Sequence, residues 1–179
     1  MSGLEIHGYA IVSADDRIAD ASGAMPRCLR NDADWAYFQA EMARADWVAL
    51  GRRSHEVTPN VRRARRLILS RAAQGLEARA DGFWLRPEAV AFAEVAARLL
   101  PRGGRLAVPG GQGVFELFLG LGFTAFHLTR AEAVELPGGR GIFAGTEGGE
   151  PADAALRRAG LTPGPARWLD EGVSLTIYR

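Results

Sequence analysis

The chain has 179 residues, 47% of them hydrophobic, and a formal charge of +1 at pH 7. That length suits one domain with a full core. The near-neutral charge offers no field for nucleic acid or an anionic membrane surface, and no apolar run nears the ~20 residues that span a bilayer. All 22 basic residues are arginine, which excludes a lysine Schiff base and the lysine-dependent phosphate loop.

A β-leaning apolar run covers residues 6–13, and a loop of small and acidic residues follows over 14–25. Trp35, Phe38 and Met42 recur at helical spacing, which predicts a helix over 32–45 with Asn31 or Asp32 as its cap. Buried strands are predicted at 47–50 and 66–70, and a short one at 82–86. Pro87 suits a first helical turn and opens a predicted amphipathic helix reaching residue 100. A strand at 106–108, a helix at 114–119 and a strand at 124–129 come next. The glycine-rich stretch 137–151 reads as a surface loop, and 164–169 with 173–178 as a hairpin around an Asp-Glu-Gly turn. Strand and helix therefore alternate to about residue 130 before an antiparallel pair closes the chain. This predicts a single α/β domain over 1–179, its mainly parallel sheet gaining antiparallel strands at one edge.

One cysteine, Cys28, cannot close an internal disulfide. His7, His55 and His127 lack metal-ligand spacing, so no metal is expected. The first residues are strand-like instead of basic and then apolar, so a cytoplasmic location is expected.

Two apolar strands break into glycine and then into helix: Trp47-Val48-Ala49-Leu50-Gly51-Arg52-Arg53-Ser54 and Leu106-Ala107-Val108-Pro109-Gly110-Gly111-Gln112-Gly113-Val114-Phe115-Glu116. Such corners gather unpaired N–H groups and the positive end of a helix dipole, a setting for phosphate. Gly51 lets the backbone approach a phosphate, Ser54 offers a hydroxyl, and Arg52 and Arg53 are bidentate donors. The same residues also suit ordinary strand–helix turns. Asp32 and Asp34 open the first helix, where acids complement the dipole. In a cleft, the same carboxylate accepts two hydrogen bonds from a heterocycle and assists its protonation. Asp34 suits that task better, because Phe38 lies one helical turn on along the same face.

In register over nearly the whole chain, these pieces resemble the dihydrofolate reductase superfamily, which includes the reductase domain of bacterial riboflavin biosynthesis. Ser13-Ala14-Asp15-Asp16-Arg17-Ile18-Ala19 is similar to the end of that family's first strand and the start of its active-site loop, and Ala24-Met25-Pro26 to the loop's end. Asp34-Trp35-Ala36-Tyr37-Phe38-Gln39 is similar to its first helix, and Leu67-Ile68-Leu69-Ser70 to the strand beside the adenosine phosphate. The resemblance implies a three-layer sandwich and NADPH held by the two glycine corners, including Gly110, Gly111, Gln112, Gly113, Val114 and Phe115. Val12 and Ala19 would offer backbone groups to the nicotinamide carboxamide, and Ser70, Arg71 and Arg52 would meet the 2′-phosphate. Asp34 would be the catalytic acid, with Met25, Phe38 and Thr129 lining the substrate pocket and Thr129 hydrogen-bonding the acid. Arg27 stands where dihydrofolate reductases usually carry tryptophan, and Arg62, Arg63, Arg65 and Arg66 crowd the place of a folate-tail arginine. Ser13-Ala14-Asp15-Asp16-Arg17-Ile18-Ala19 and Leu136-Pro137-Gly138-Gly139-Arg140-Gly141-Ile142-Phe143-Ala144-Gly145 lean toward the riboflavin-type branch. The implied activity is an NADPH-dependent reductase of a pteridine- or pyrimidine-related small molecule. Dihydrofolate, the riboflavin-pathway aminouracil ribosyl phosphate and an analogue all stay open as substrates. The alternative of another class is a nucleotide-binding module without turnover, and a homodimer is compatible with the riboflavin-type relatives.

Overall fold

The computed structural model describes residues 3–58, 60 and 65–179. It opens with a ten-residue strand, β1 (Leu4–Ser13), and a short one, β2 (Arg17–Ala19). Helix α1 (Asp32–Met42) is capped by Asn31, whose side-chain oxygen accepts from the Ala33 and Asp34 N–H groups at 3.0 Å each. The chain continues through β3 (Trp47–Gly51), α2 (Arg52–Val57), β4 (Arg66–Leu69), β5 (Leu76–Arg79) and β6 (Gly82–Leu85). After α3 (Phe92–Leu99) come β7 (Gly104–Gly110), α4 (Gln112–Leu121) and β8 (Ala125–Ala131). The last part holds β9 (Arg140–Gly141), α5 (Ala144–Glu147), α6 (Ala152–Arg158), β10 (Arg167–Asp170) and β11 (Val173–Tyr178).

The main sheet has the order β10-β11-β8-β1-β7-β3-β4-β6-β5. Its six central strands are parallel; at one edge β11 pairs antiparallel with β8 and β10 antiparallel with β11, and at the other β5 pairs antiparallel with β6. The expected mainly parallel sheet with a C-terminal hairpin is therefore observed.

The two faces of the sheet are filled differently. Ile6, Val12, Leu106, Val108, Phe126 and Leu128 share a large apolar core with Val95 of α3, Phe115 and Phe118 of α4 and Leu156 of α6. Burial of these side chains supplies most of the driving force for folding. The opposite face carries a small apolar cluster of Ile68, Ala73 and Trp84, and beside it α1. The only fully buried side chain of α1 is a carboxylate, Glu41.

Several expectations need correction. The helix foreseen from Pro87 starts at Phe92, because Pro87 sits inside a turn closed by the Ala89 N–H donating to the Arg86 carbonyl at 3.0 Å. Proline's fixed φ serves a turn as well as a helix start. The stretch 137–151 is not a simple surface loop, since Ile142 and Phe143 are fully buried between β9 and α5. Sequence reading also missed β5, an edge strand with no apolar run, and α6, whose start at Pro151 hid behind the glycines.

Candidate active site

Past Gly8 the middle of the sheet splits. The pairing of β1 with β7 ends at Gly8↔Val108, whereas β1 stays paired with β8 as far as Ser13↔Ala131. Pro109 contributes to the parting, because it has no N–H to give a ladder. The split opens at the carboxyl ends of the parallel strands, where the order of connections reverses about β1, the usual place for a ligand in an α/β sheet.

On one side of the split lie both glycine corners. They end adjacent strands, with Leu50 in register with Gly110. Gly110 and Gly111 take φ of 127° and 88°, which side-chain-bearing residues rarely adopt. Asn31 caps α1, but no side chain caps α2 or α4. The Val114 and Phe115 N–H groups donate to the Gly111 carbonyl at 2.9 Å, and both side chains enter the core. The free donors at the start of α4 are thus the N–H groups of Gln112 and Gly113, and a Cβ added at Gly113 would meet nothing within 4 Å. Uncapped N–H groups beside open space fit a phosphate of the expected cofactor.

The side chains around these corners are variously engaged. Gln112 Nε2 donates to the Gly141 carbonyl at 3.1 Å and to Glu147 at 2.9 Å, which leaves its backbone for a ligand. Arg52 pairs with Glu56 at 2.7 Å, an exposed pair that gives way at small cost. Arg53 is exposed and reaches toward Gly23, and Ser54 is half-buried. The Ser70 hydroxyl accepts from the Ala72 N–H at 3.2 Å, and Arg71 is exposed at the end of β4, whose Leu69 is in register with Gly51. His55 turns inward: its Nε2 meets Asp81 at 2.9 Å, and Arg66 donates to its Nδ1 at 3.1 Å. Arg62 and Arg63 lie outside the described residues.

Across the split stands α1. Asp34 lies close to Thr129 of β8. Burial pushes the Asp34 pKa up from the ordinary aspartate value, and the neighbouring Thr129 hydroxyl opposes that rise. Asp32 is exposed. Phe38 stacks on Trp35 with centroids 5.5 Å apart and meets Tyr9 edge-on at 6.5 Å. Met25 is 44% exposed. Val12 is fully buried and paired with Arg130, and Ala19 is buried in the β2–β9 ribbon, in register with Arg140.

The loop after β1 is rooted by polar contacts. Asp15 accepts from the Ser13 hydroxyl at 2.5 Å and from the Leu136 N–H at 2.9 Å. Asp16, at φ 61°, accepts from the Ala152 N–H at 2.9 Å and pairs with Arg130 at 2.6 Å.

No family model matches the sequence, and no curated protein matches it. Solved structures do. A protein assigned to riboflavin biosynthesis from Shewanella sp. PV-4 superposes with a TM-score of 0.69 at 19% identity, covering 98% of each chain. Dihydrofolate reductase from Enterococcus faecalis, complexed with NADP(H) and RAB-propyl, gives 0.67 at 13% identity over 98% of this chain and 95% of that one. A pyrimidine reductase-like protein from Corynebacterium diphtheriae gives 0.68 at 14%, over 98% and 91%. This chain has the dihydrofolate reductase-like fold. The bifunctional deaminase/reductase from Thermotoga maritima shares it at TM-score 0.67 and 14% identity, this chain spanning 56% of that longer one. The dihydrofolate reductase-like fold thus gathers Asp34, Thr129, Phe38 and both glycine corners around one split.

Sequence reading missed the layer beneath α1, where Tyr9, His7, His127, Tyr37, Glu41 and Arg105 touch in sequence-distant pairs. Its signal was faint but present: histidine and tyrosine alternate at 7 and 9, as do histidine and threonine at 127 and 129, in the middle of largely apolar strands.

Proposed function

We propose that the protein is an NADPH-dependent reductase acting on a pteridine- or pyrimidine-related heterocycle. The observation that carries this reading is the split itself, with phosphate-ready corners on β3 and β7 along one bank and a half-buried carboxyl on α1 along the other. The nicotinamide supplies hydride when bound; the chain's own residues bind, orient and manage one proton. The N–H groups of Gln112 and Gly113, with Arg52, Arg53 and Ser54, hold the phosphates, and Arg71 receives the 2′-phosphate. Asp34 accepts hydrogen bonds from the N–H edge of the heterocycle and raises the basicity of the ring nitrogen to be protonated. Phe38, stacked on Trp35, and Met25 wall the ring.

The test is fluorescence titration with NADPH and NADH, run beside NADPH oxidation over a panel of dihydropterins, dihydrofolate and aminopyrimidine ribosyl phosphates. Micromolar NADPH affinity, weaker NADH affinity and oxidation dependent on one panel member are expected. NADPH binding without oxidation on any substrate would favour the non-catalytic nucleotide-binding module, and no affinity at millimolar NADPH would remove both readings.

A further inference from the structure

Helix α1 carries the pocket carboxyl, yet apolar burial does not fasten it. Val114, Phe115 and Phe118 anchor α4 in the core, whereas α1 buries only Glu41 and otherwise meets the sheet through partly buried and polar groups. Glu41 takes Arg44, just beyond the end of α1, at 2.8 Å, the Tyr9 hydroxyl at 3.2 Å and Arg105 of β7 at 3.5 Å. One turn earlier, the Tyr37 hydroxyl lies 2.5 Å from His127 Nδ1. His127 Nε2 lies 3.3 Å from His7 Nδ1, and His7 Nε2 faces Glu5 at 3.6 Å.

Counting donors settles where the protons sit. The Tyr9 hydroxyl spends its hydrogen on Glu41, and the Arg167 guanidinium stands 5.2 Å from the centroid of the Tyr37 ring. The Glu5 carboxylate can only accept, so it holds the His7 proton on Nε2; His7 Nδ1 then accepts from His127 Nε2, and His127 Nδ1 accepts from the Tyr37 hydroxyl. Every donor in this chain points the same way, from Tyr37 on α1 to the carboxylate on β1. A second proton on His7 would set two N–H groups against each other, and one on His127 would confront the Tyr37 O–H.

We infer that His127 and His7 are positioning residues for the pocket: as a neutral pair they tie α1, and with it Asp34, to the sheet through Tyr37, and acid undoes the tie. The tie stands on the geometry alone; its effect on turnover rests on the reductase reading.

The groups facing the pair are Glu5 and Tyr9 from β1, Tyr37 and Glu41 from α1, Arg44 just beyond it, Arg105 from β7, Arg167 from β10 and Arg179 at the C-terminus. The carboxylates Glu5 and Glu41 favour a charged His7, but burial and Arg105 outweigh them and lower its pKa. His127 is pushed down from 6.5 to about 3, by burial first and then by His7 and the arginines. The sign follows from linkage: a released His127 binds a proton below about pH 6.5, whereas the docked one does not until about pH 3. The tie is therefore intact above pH 6.5 and weakens as pH falls toward 3. Between pH 7.5 and pH 5 the opening equilibrium of α1 rises roughly 30-fold through His127 alone, from these two pKa values.

The experiment is amide hydrogen exchange on the full chain at pH 7.5 and pH 5, with α1 protection expressed relative to α4. The wild type should lose at least ~10-fold of that relative protection at pH 5. His127→Gln, which accepts from Tyr37 and donates to His7 without titrating, should keep protection at pH 7.5 and lose several-fold less at pH 5. Should that variant fail to fold, ¹⁵N imidazole shifts of the wild type decide the matter: His127 is expected as the neutral Nε2–H tautomer at pH 5.5. Unchanged relative protection in the wild type, or imidazoles that titrate near pH 6.5, overturns the inference. Protection that responds to pH in a protein with no NADPH affinity would sink the reductase reading and leave the tie standing. If NADPH binds and a substrate is turned over, KM should rise at pH 5.5 in the wild type and far less in His127→Gln, with cofactor affinity alike in both.

Discussion

Asp34 shows how one side chain couples stability to chemistry. Its carboxyl is half-buried in the first turn of α1 and its pKa is raised, so ionisation at neutral pH costs the fold free energy. A raised acid contributes stability that is present below the unfolded value of 3.8 and is lost as pH climbs through the folded value. Asp34→Asn removes that cost. Thermal unfolding should therefore move to higher temperature at pH 7.5 and stay near wild type at pH 3, while turnover falls by ~10²-fold or more and NADPH binding is unchanged. A variant that lost both stability and NADPH affinity would show Asp34 to be a structural cap. Asp34, Phe38 and Thr129 could be singled out as candidates because helical spacing and a family pattern mark them within short segments. The histidine pair was not, since His7 and His127 are 120 positions apart and meet only through the pairing of β1 with β8.

The two kinds of helix divide the work of this fold. Phe118 of α4 is fully buried among Phe92 and Phe123, whereas Phe38 of α1 is half-buried against Trp35 and Tyr9. Phe118→Ala should cost about 3–5 kcal/mol of unfolding free energy, the usual range for emptying a packed aromatic site. Phe38→Ala should cost far less in stability and appear mainly as a raised KM, which denaturant unfolding and steady-state kinetics measure separately. The same contrast explains which elements could be read from sequence. The strands at the centre of the sheet and the apolar α4 announce themselves by pattern, with ends misplaced by at most two residues. The edge strand β5, with Glu77 and Arg79 alternating, and the two-residue β9 are made by pairing partners that a linear reading does not see.

Across the whole molecule, the sheet behaves as two sets of strands joined at one seam. β10, β11, β8 and β1 carry the acid bank, and β7, β3, β4, β6 and β5 carry the glycine corners. The seam is the five-residue pairing of Leu4–Gly8 with Gly104–Val108. Gly8 closes it, and a Cβ there would stand 2.3 Å from the Phe126 ring. Gly8→Ala should cost about 1–3 kcal/mol through overpacking, read by chemical denaturation, and wild-type stability in that variant would show that the ring gives way freely. Because the seam is short and lies at the far end from the pocket, the two halves are leaves on a common spine. A small rotation there would change the gap at the open edge the most, so under the proposed reductase reading the distance from a hydride donor on one leaf to its acceptor on the other would follow any flexing of the spine.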